Sequence, residues 1–445
     1  MWGKYNRVLM SGTDGSFVTV LLTGDALVTR PLNLDPNGDL ADLSTLCDVA
    51  DICFTNLEAP LNGYVGTPVP GESIHLSTRP EIGQNLIHLG FNLFATANNH
   101  ALDYGVEGLR QQLAAMDALG MVHAGIGETL ADASRPTYLH TPKGRVALVA
   151  CTASLGGGWI AADPGHGVAG RPGVNALRFG TTYRLDRERF EQLRAVAEAL
   201  GLDRLEAWHA AMGHSSPLER PEQQMRFTGG LFERAASPGV TSAPHPEDLE
   251  RNLTSVREAR TQADLVVVSV HAHEFDTALD APPDFLKVFA RACIDAGADI
   301  VTGSGPHLLR GIELYQGKPI FYSLGNTWFE YETLERLPND AYLSNNLDPF
   351  MSKPSDHADK ALVGLREDAR YWESVVPFCT FEGGALTEVT LYPIALGRDA
   401  PRPRRGQPSR AYGDAAEQVL RRLAELSEPF ETEIELAATT GRIKI

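Results

Sequence analysis

Seven short apolar runs punctuate this chain: FVTVLLTGD, VADICFTNLE, FNLFATANNH, VALVACTAS, LVVVSVHAHE, ADIVTGSGPH and KPIFYSLGN. Each is rich in β-branched or aromatic residues, apolar at consecutive positions, and runs out in Gly, Asn, Asp, His or a neighbouring polar residue. Continuous rather than alternating apolarity is the pattern of strands covered on both faces. Between them lie helical patterns such as GVEGLRQQLAAMDALG and PDFLKVFARACIDAGA, with i, i+3, i+4 apolar spacing and a glycine near the end. Alternating strands and helices predict an α/β fold in layers.

We read residues 1–445 as a single domain interrupted by an insertion over 154–246. That stretch is rich in Gly, Pro, Arg and His, and its helical segment is RERFEQLRAVAEALG. Long excursions of this kind are usually functional, so it is expected to act as a lid, a surface excursion being the competing reading. NNLDPFMSKPSDHADKALVGLREDARYW is read as a loop with little core, and SVVPFCTFEGGALTEVTLYPIALG as a hairpin turning at Gly383-Gly384. The tail over 405–445 is read as helical from Asp414.

Charge narrows the partners. A net charge of -18 and a pI near 5.2 set the summed field against nucleic acid and anionic membranes. The five cysteines form no CxxC pair, which argues against a disulfide-stapled secreted domain. MWGKYNRVLMSGTDGS lacks a signal-peptide apolar core, and no run reaches the ~20 apolar residues of a spanning helix. A cytoplasmic protein with no membrane partner is expected. HAGIG lacks the strand–GxGxxG–helix context, so no nucleotide cofactor is expected either.

Open α/β sheets bind ligands beyond the carboxyl ends of their strands. Here those ends deliver Asp25, then Asn56 and Glu58, then Asn98, Asn99, His100 and Asp103, then His271, His273 and Glu274, and finally Ser304 and His307. A lone residue of this sort is more often a cap or a satisfied core group, and Asp103 could simply cap the helix starting near Val106. Five strands ending alike point to a site. Oxygen and nitrogen donors without thiolate suit a hard or borderline divalent ion.

LLTGDALVTR, TNLEAPL, ATANNHALDYG, HAGIGETL, SVHAHEF and GADIVTGSGPHLLRGIELYQGKPIFYSLGNTWFE resemble the successive motifs of the CapA family of capsule and poly-γ-glutamate synthesis. The resemblance covers residues 18–153 and 262–330, with weaker echoes to about 397. It implies the calcineurin-like metallophosphatase fold, two packed β-sheets flanked by helices. The phosphatases of that fold open with D-x-H and close with G-H-x-H. This chain has Asp25-Ala26-Leu27 and Gly303-Ser304-Gly305-Pro306-His307 instead. Two imidazoles short, it is not expected to hold a two-metal phosphatase centre.

The resemblance leaves one ion site, with Glu58, Asn99 and His271 as its ligands and Ca²⁺ or Mg²⁺ favoured over Mn²⁺ or Zn²⁺. His100 with Asp103, and His307 with Asp25, are the candidate catalytic pairs. His273, Ser304, Arg171 and Asn175 are the substrate-binding candidates; the last two lie in GRPGVNALR, for which a solvated loop is the competing reading. Two His/Asp pairs beside a cation suit Cα epimerisation of a peptide residue, as in the lasso-peptide epimerase branch of the same fold. The alternatives are a metal-dependent amidase acting on poly-γ-glutamate or a related polymer, and a non-catalytic scaffold. The partner expected on either enzymatic reading is a peptide or poly-amino acid; the sequence sets no oligomeric state.

Overall fold

The computed structural model describes residues 17–71 and 74–445; the N-terminal stretch read above for a leader lies outside them. Two sheets form the body. In the larger, strands Ala385–Ala395, Glu373–Glu382, Phe17–Leu27, Ile52–Leu57 and Leu93–Ala95 lie side by side, with Asn326–Phe329 also paired to Phe17–Leu27. In the smaller, the order is Leu309–Tyr315, Lys318–Leu324, Ile300–Ser304, Leu265–His271, Gly144–Thr152 and Thr137–Thr141.

Alternation along each strand divides its side chains between two cores. Val20 and Leu22 meet Val146, Leu148 and Val267 between the sheets. Leu21 faces outward, sharing a cluster with Leu43, Leu86 and Leu109 of helices Ala41–Val49, Pro80–Leu89 and Gly105–Leu119. On the opposite outer face, Val149 and Val268 pack with Val256 of helix Pro246–Gln262 and Phe289 of helix Asp284–Asp295. The result is helix, sheet, sheet, helix, the α/β sandwich expected from the continuous apolar runs. Phe17–Leu27, Ile52–Leu57 and Leu93–Ala95 run parallel, as do Gly144–Thr152, Leu265–His271 and Ile300–Ser304. Parallel pairing within each sheet sends the polar strand ends out together.

The mid-chain excursion contains a sheet of its own. Phe179–Leu185, Gln224–Phe227, Gly230–Arg234 and Gly239–Pro244 form four strands beside helices Arg187–Leu200 and Leu202–Ala211. It is moored by the stacked rings of Phe179 and Phe285, 4.2 Å apart, and by Asp248. That buried carboxylate accepts from Arg178 backbone N (2.8 Å), Arg178 Nε (2.7 Å) and Arg251 Nη1 (2.7 Å). Burial alone would raise its pKa, but the bonds from Arg178 and Arg251 outweigh burial and bring it down to about 2. A carboxyl lowered on folding stabilises the native state above its unfolded pKa of about 4, and that contribution disappears as pH falls toward 2. Asp248→Ala is therefore expected to cost about 2–3 kcal/mol at neutral pH, since it strands two partly buried guanidinium groups. Urea unfolding at pH 7 and pH 2.5 checks this, the difference from the parent shrinking at the lower pH.

Two stretches depart from the sequence reading. The region read as a loop holds short helices Pro354–Ala361 and Val363–Glu367, with Ala358 of the first and Leu362 between them buried. Their apolar residues are too sparse to announce a helix face, and only contact with the main core orders them. The tail is helical over Gly413–Ser427, but it ends in strands Ile434–Leu436 and Gly441–Ile443, and the second of these pairs with Ala385–Ala395. Ile443 is buried in the inter-sheet core, so an available sheet edge decides that segment's conformation. The hairpin turns at Gly383-Gly384 as expected, both at positive φ (58° and 83°), the backbone of a tight strand-matching turn.

Candidate active site

Asp25 stands at a break in strand register, where Phe17–Leu27 shifts against Ile52–Leu57 between Leu22 and Asp25. The preceding Gly24 allows this, because a Cβ there would lie 1.9 Å from the Gly325 carbonyl oxygen. Buried completely, Asp25 accepts from Asn56 Nδ2 (2.8 Å) and Gly305 backbone N (3.0 Å), with His271 Nδ1 at 3.7 Å and His307 Nδ1 at 3.5 Å. Burial alone would raise its pKa; His271 and His307 outweigh that and hold it well below the carboxylate range.

His100 and Asp103 form the closest pair in the site. His100 Nδ1 lies 2.7 Å from Asp103 Oδ2, which also accepts from Leu76 backbone N at 2.6 Å. Helix Gly105–Leu119 starts after Tyr104 without any side-chain cap, so the Asp103 carboxylate serves His100 rather than the helix end. This fixes the Nδ1–H tautomer of His100 and leaves Nε2 with its lone pair.

His307 is held differently. Its Nδ1 lies 2.8 Å from Asn326 Oδ1, closer than Asp25, and Asn326 Nδ2 donates to the carbonyls of His307 and Tyr371, at 3.1 Å each. Those two donations orient the amide, so Nδ1 carries the proton and Nε2 keeps its lone pair, with the Tyr331 hydroxyl 3.4 Å away. His307 sits at φ 60°, a backbone conformation that costs a non-glycine residue about 1–3 kcal/mol and collects at functional sites. Asn326, which the sequence reading passed over, grips both ring and backbone. Its one signal was its place at the end of the strand-like run KPIFYSLGN. Tyr331, whose hydroxyl lies 3.4 Å from His307 Nε2, had no signal at all.

Glu58 lies at the centre. Its Oε1 has His100 Nε2 at 4.0 Å, His271 Nε2 at 3.8 Å and His307 Nε2 at 3.8 Å, and neither oxygen has a hydrogen-bond partner among the described residues. Burial, then the charges of Asp25 and Asp103, push its pKa well up. A fully buried carboxylate left unpaired is costly, whereas a cation beside it would resolve the cost. Ligand atoms of Glu58, His273 and His307 lie within 4.8 Å of one another, a spacing a single ion can span. His273 Nε2 is likewise buried and unpartnered, and burial followed by the charges of His271 and His307 keeps that imidazole neutral, as a ligand must be. His271 bonds through Nε2 to Asn99 Oδ1 (2.9 Å) and through Nδ1 to Ser304 Oγ (3.0 Å). The residues present fit one divalent ion.

A cleft of about 470 Å³ opens onto this centre, lined by Asn99, His100, His273, Glu274, His307 and Tyr331 on its polar side. The other substrate-binding candidates are not brought to it. Ser304 lies beneath His271, and Asn175 is fully buried, donating to the Ala150 carbonyl (2.9 Å) and Asn252 Oδ1 (2.8 Å). Arg171 is exposed, its Nε donating to the Ile160 carbonyl at 2.8 Å. The four-stranded sheet of the excursion contributes nothing to the lining, which takes Ser154, Leu155, Gly156 and Trp159 from the excursion's first turn.

Residues 19–331 match the model of the family described as bacterial capsule synthesis protein PGA_cap. The chain belongs to that family. Its two-sheet sandwich flanked by helices is consistent with the calcineurin-like metallophosphatase fold that the resemblance implies. An uncharacterized Sinorhizobium fredii protein, y4sH, is 36% identical over 463 residues, covering 100% of this chain and 96% of that protein. The PGA biosynthesis protein CapA of Bacillus subtilis is 27% identical over 337 residues, covering 74% and 68%. The capsule biosynthesis protein CapA of Bacillus anthracis is 24% identical over 261 residues, covering 58% and 45%. Among the described residues of this PGA_cap protein, no helix is long and apolar enough to cross a membrane.

Proposed function

We propose that this PGA_cap protein is a metal-assisted acid–base enzyme acting on a peptide or poly-amino acid, and that its reaction is Cα epimerisation. One observation carries the reading. Two imidazoles, each locked at Nδ1, present Nε2 atoms at 4.0 Å (His100) and 3.8 Å (His307) from the same Glu58 oxygen. Their locks differ in charge. Asp103 is a carboxylate, whereas Asn326 is a neutral amide with the Asp25 carboxylate 3.5 Å from the same Nδ1. In one direction, neutral His307 takes the Cα proton, and the electron pair spreads onto the adjacent carbonyl. Protonated His100 then returns a proton to the opposite face of the same carbon, leaving the formula unchanged. Exchanged protonation states run the reaction backwards.

Glu58, His271 and His273, with Asn99, would hold the cation on this reading. When bound, it would neutralise Glu58 and stabilise negative charge developing on a substrate carbonyl oxygen. A second reading is favoured by the closeness of Glu58, His273 and His307. If His307 serves the cation instead, His100 with Asp103 is left as the single proton donor, suited to protonating the leaving amine of a hydrolysed peptide or γ-glutamyl amide.

Incubation in D₂O with short N-acetyl peptides and with γ-glutamyl oligomers, with and without chelator, tests both. Epimerisation predicts one deuterium at a Cα, appearance of the D residue, intact chain length, and loss of the effect on chelation. New amine and carboxyl ends would establish the amidase, and neither change with any substrate would refute both.

A further inference from the structure

The cleft has a second wall that the proton chemistry does not use. Besides the histidines it is lined by Ile74, Leu155, Trp159, Leu362 and Leu365, all of which belong to or pack against one apolar cluster. They come from three separate excursions: the turn after Leu61, the first residues of the mid-chain insertion, and helix Val363–Glu367 with the residue before it. Trp159 is seated there by Gly156, since a Cβ at that position would lie 2.4 Å from the indole Cε2. Leu365 lines the cleft, and its carbonyl accepts from Trp372 Nε1 at 2.8 Å, which anchors the short helix.

The polar side is as telling by what it lacks. No lysine or arginine lines the cleft among the described residues. Glu274 lies in it, bonded by Ser154 Oγ at 3.1 Å, and Asp25, Glu58 and Asp103 stand behind it. Behind Glu274 stands one buried guanidinium, Arg310, whose Nη2 donates to the Glu274 carbonyl at 2.7 Å, and the whole chain carries -18. A polyanion entering here would meet no lysine or arginine side chain in the lining and the repulsive summed field of the chain.

We infer that the residue processed in this cleft bears an apolar side chain, aliphatic or aromatic, which rests on the Trp159–Leu365 wall while its backbone faces the histidines, and that polyglutamate is not the substrate of this site. The inference rests on the proposed reading only in taking the cleft as the place where the substrate sits. It concerns which side chain is accepted rather than what is done to it.

Binding of Ac-Ala-Ala-Phe-amide, Ac-Ala-Ala-Glu-amide and a γ-glutamyl trimer to the Mg²⁺-loaded and Ca²⁺-loaded full chain, by calorimetry, separates the cases. Phe is expected to bind about ten- to hundredfold more tightly than Glu or the trimer. Trp159→Ala should erase most of that margin, and Leu365→Lys should shift preference toward the Glu peptide. Because loss of Trp159 could disturb the insertion, Leu365→Lys, on a separate element, serves as the independent variant. Equal or tighter binding of the trimer, or an unchanged Phe margin in both variants, would overturn the inference. Tight Phe binding without deuterium uptake or cleavage would leave it standing and remove the proposed reaction. Equal deuterium uptake in all three compounds would do the reverse.

Discussion

Glu58→Gln is expected to make the metal-free protein more stable and, at the same time, insensitive to divalent cations. Both effects come from one fact: a carboxylate with 0% exposure and, among the described residues, no bonded partner at either oxygen. Leaving a buried polar group unsatisfied costs about 1–3 kcal/mol, and more if it is charged. An amide of the same shape avoids the charged part of that penalty. In the parent, a cation at a hundred times its dissociation constant should add about 2.7 kcal/mol. In the variant, that increment should vanish, because Glu58 is the only anionic donor of the candidate ligand set. Chemical denaturation in EDTA and in excess Mg²⁺, Ca²⁺ or Mn²⁺ supplies the four numbers. A variant that is less stable without metal and still gains stability from cations would show that Glu58 is not at an ion site.

The second large effect is on rate. His100→Ala should lower turnover about 10²–10⁴-fold, the usual contribution of a positioned acid–base group. It should leave the cation-induced stabilisation intact, because Nδ1 is committed to Asp103 and Nε2 lies farther from Glu58 than the other imidazoles do. His307→Ala distinguishes the two proposed reactions. If His307 moves a proton, that variant loses rate and keeps its response to cations. If it holds the ion, both are lost together. A His100→Ala enzyme with undiminished turnover would dismiss the dyad altogether.

Much of this site was legible because strand ends in parallel sheets carry ligands, and the polar residue types at those ends stood out against apolar runs. His100 and Asp103 were paired from sequence because they are three residues apart at one strand end, and local geometry brings them together. His307 was paired with Asp25, which the structure places at 3.5 Å, but its tighter partner is Asn326. That contact depends on the αL backbone of His307, which nothing in the local sequence announces for a non-glycine residue. Asn175 and Arg171 looked like ligands as members of a turn-rich segment. Helix Pro246–Gln262 claims Asn175 through Asn252, so the loop's polar residues serve its own mooring.

By itself the sequence determined the layers, the strand ends and the kinds of donor they carry, because burial on both faces dictates continuous apolar runs and because histidine and carboxylate must sit where those runs stop. Only the tertiary structure decided which donor faces which. Glu58 became the shared centre of three imidazoles because two sheets, far apart in the chain, bring their strand ends to one place. The apolar wall of the cleft was beyond sequence reading for the same reason. Ile74, Trp159 and Leu365 belong to excursions with no common periodicity, and only packing against the main core sets them side by side.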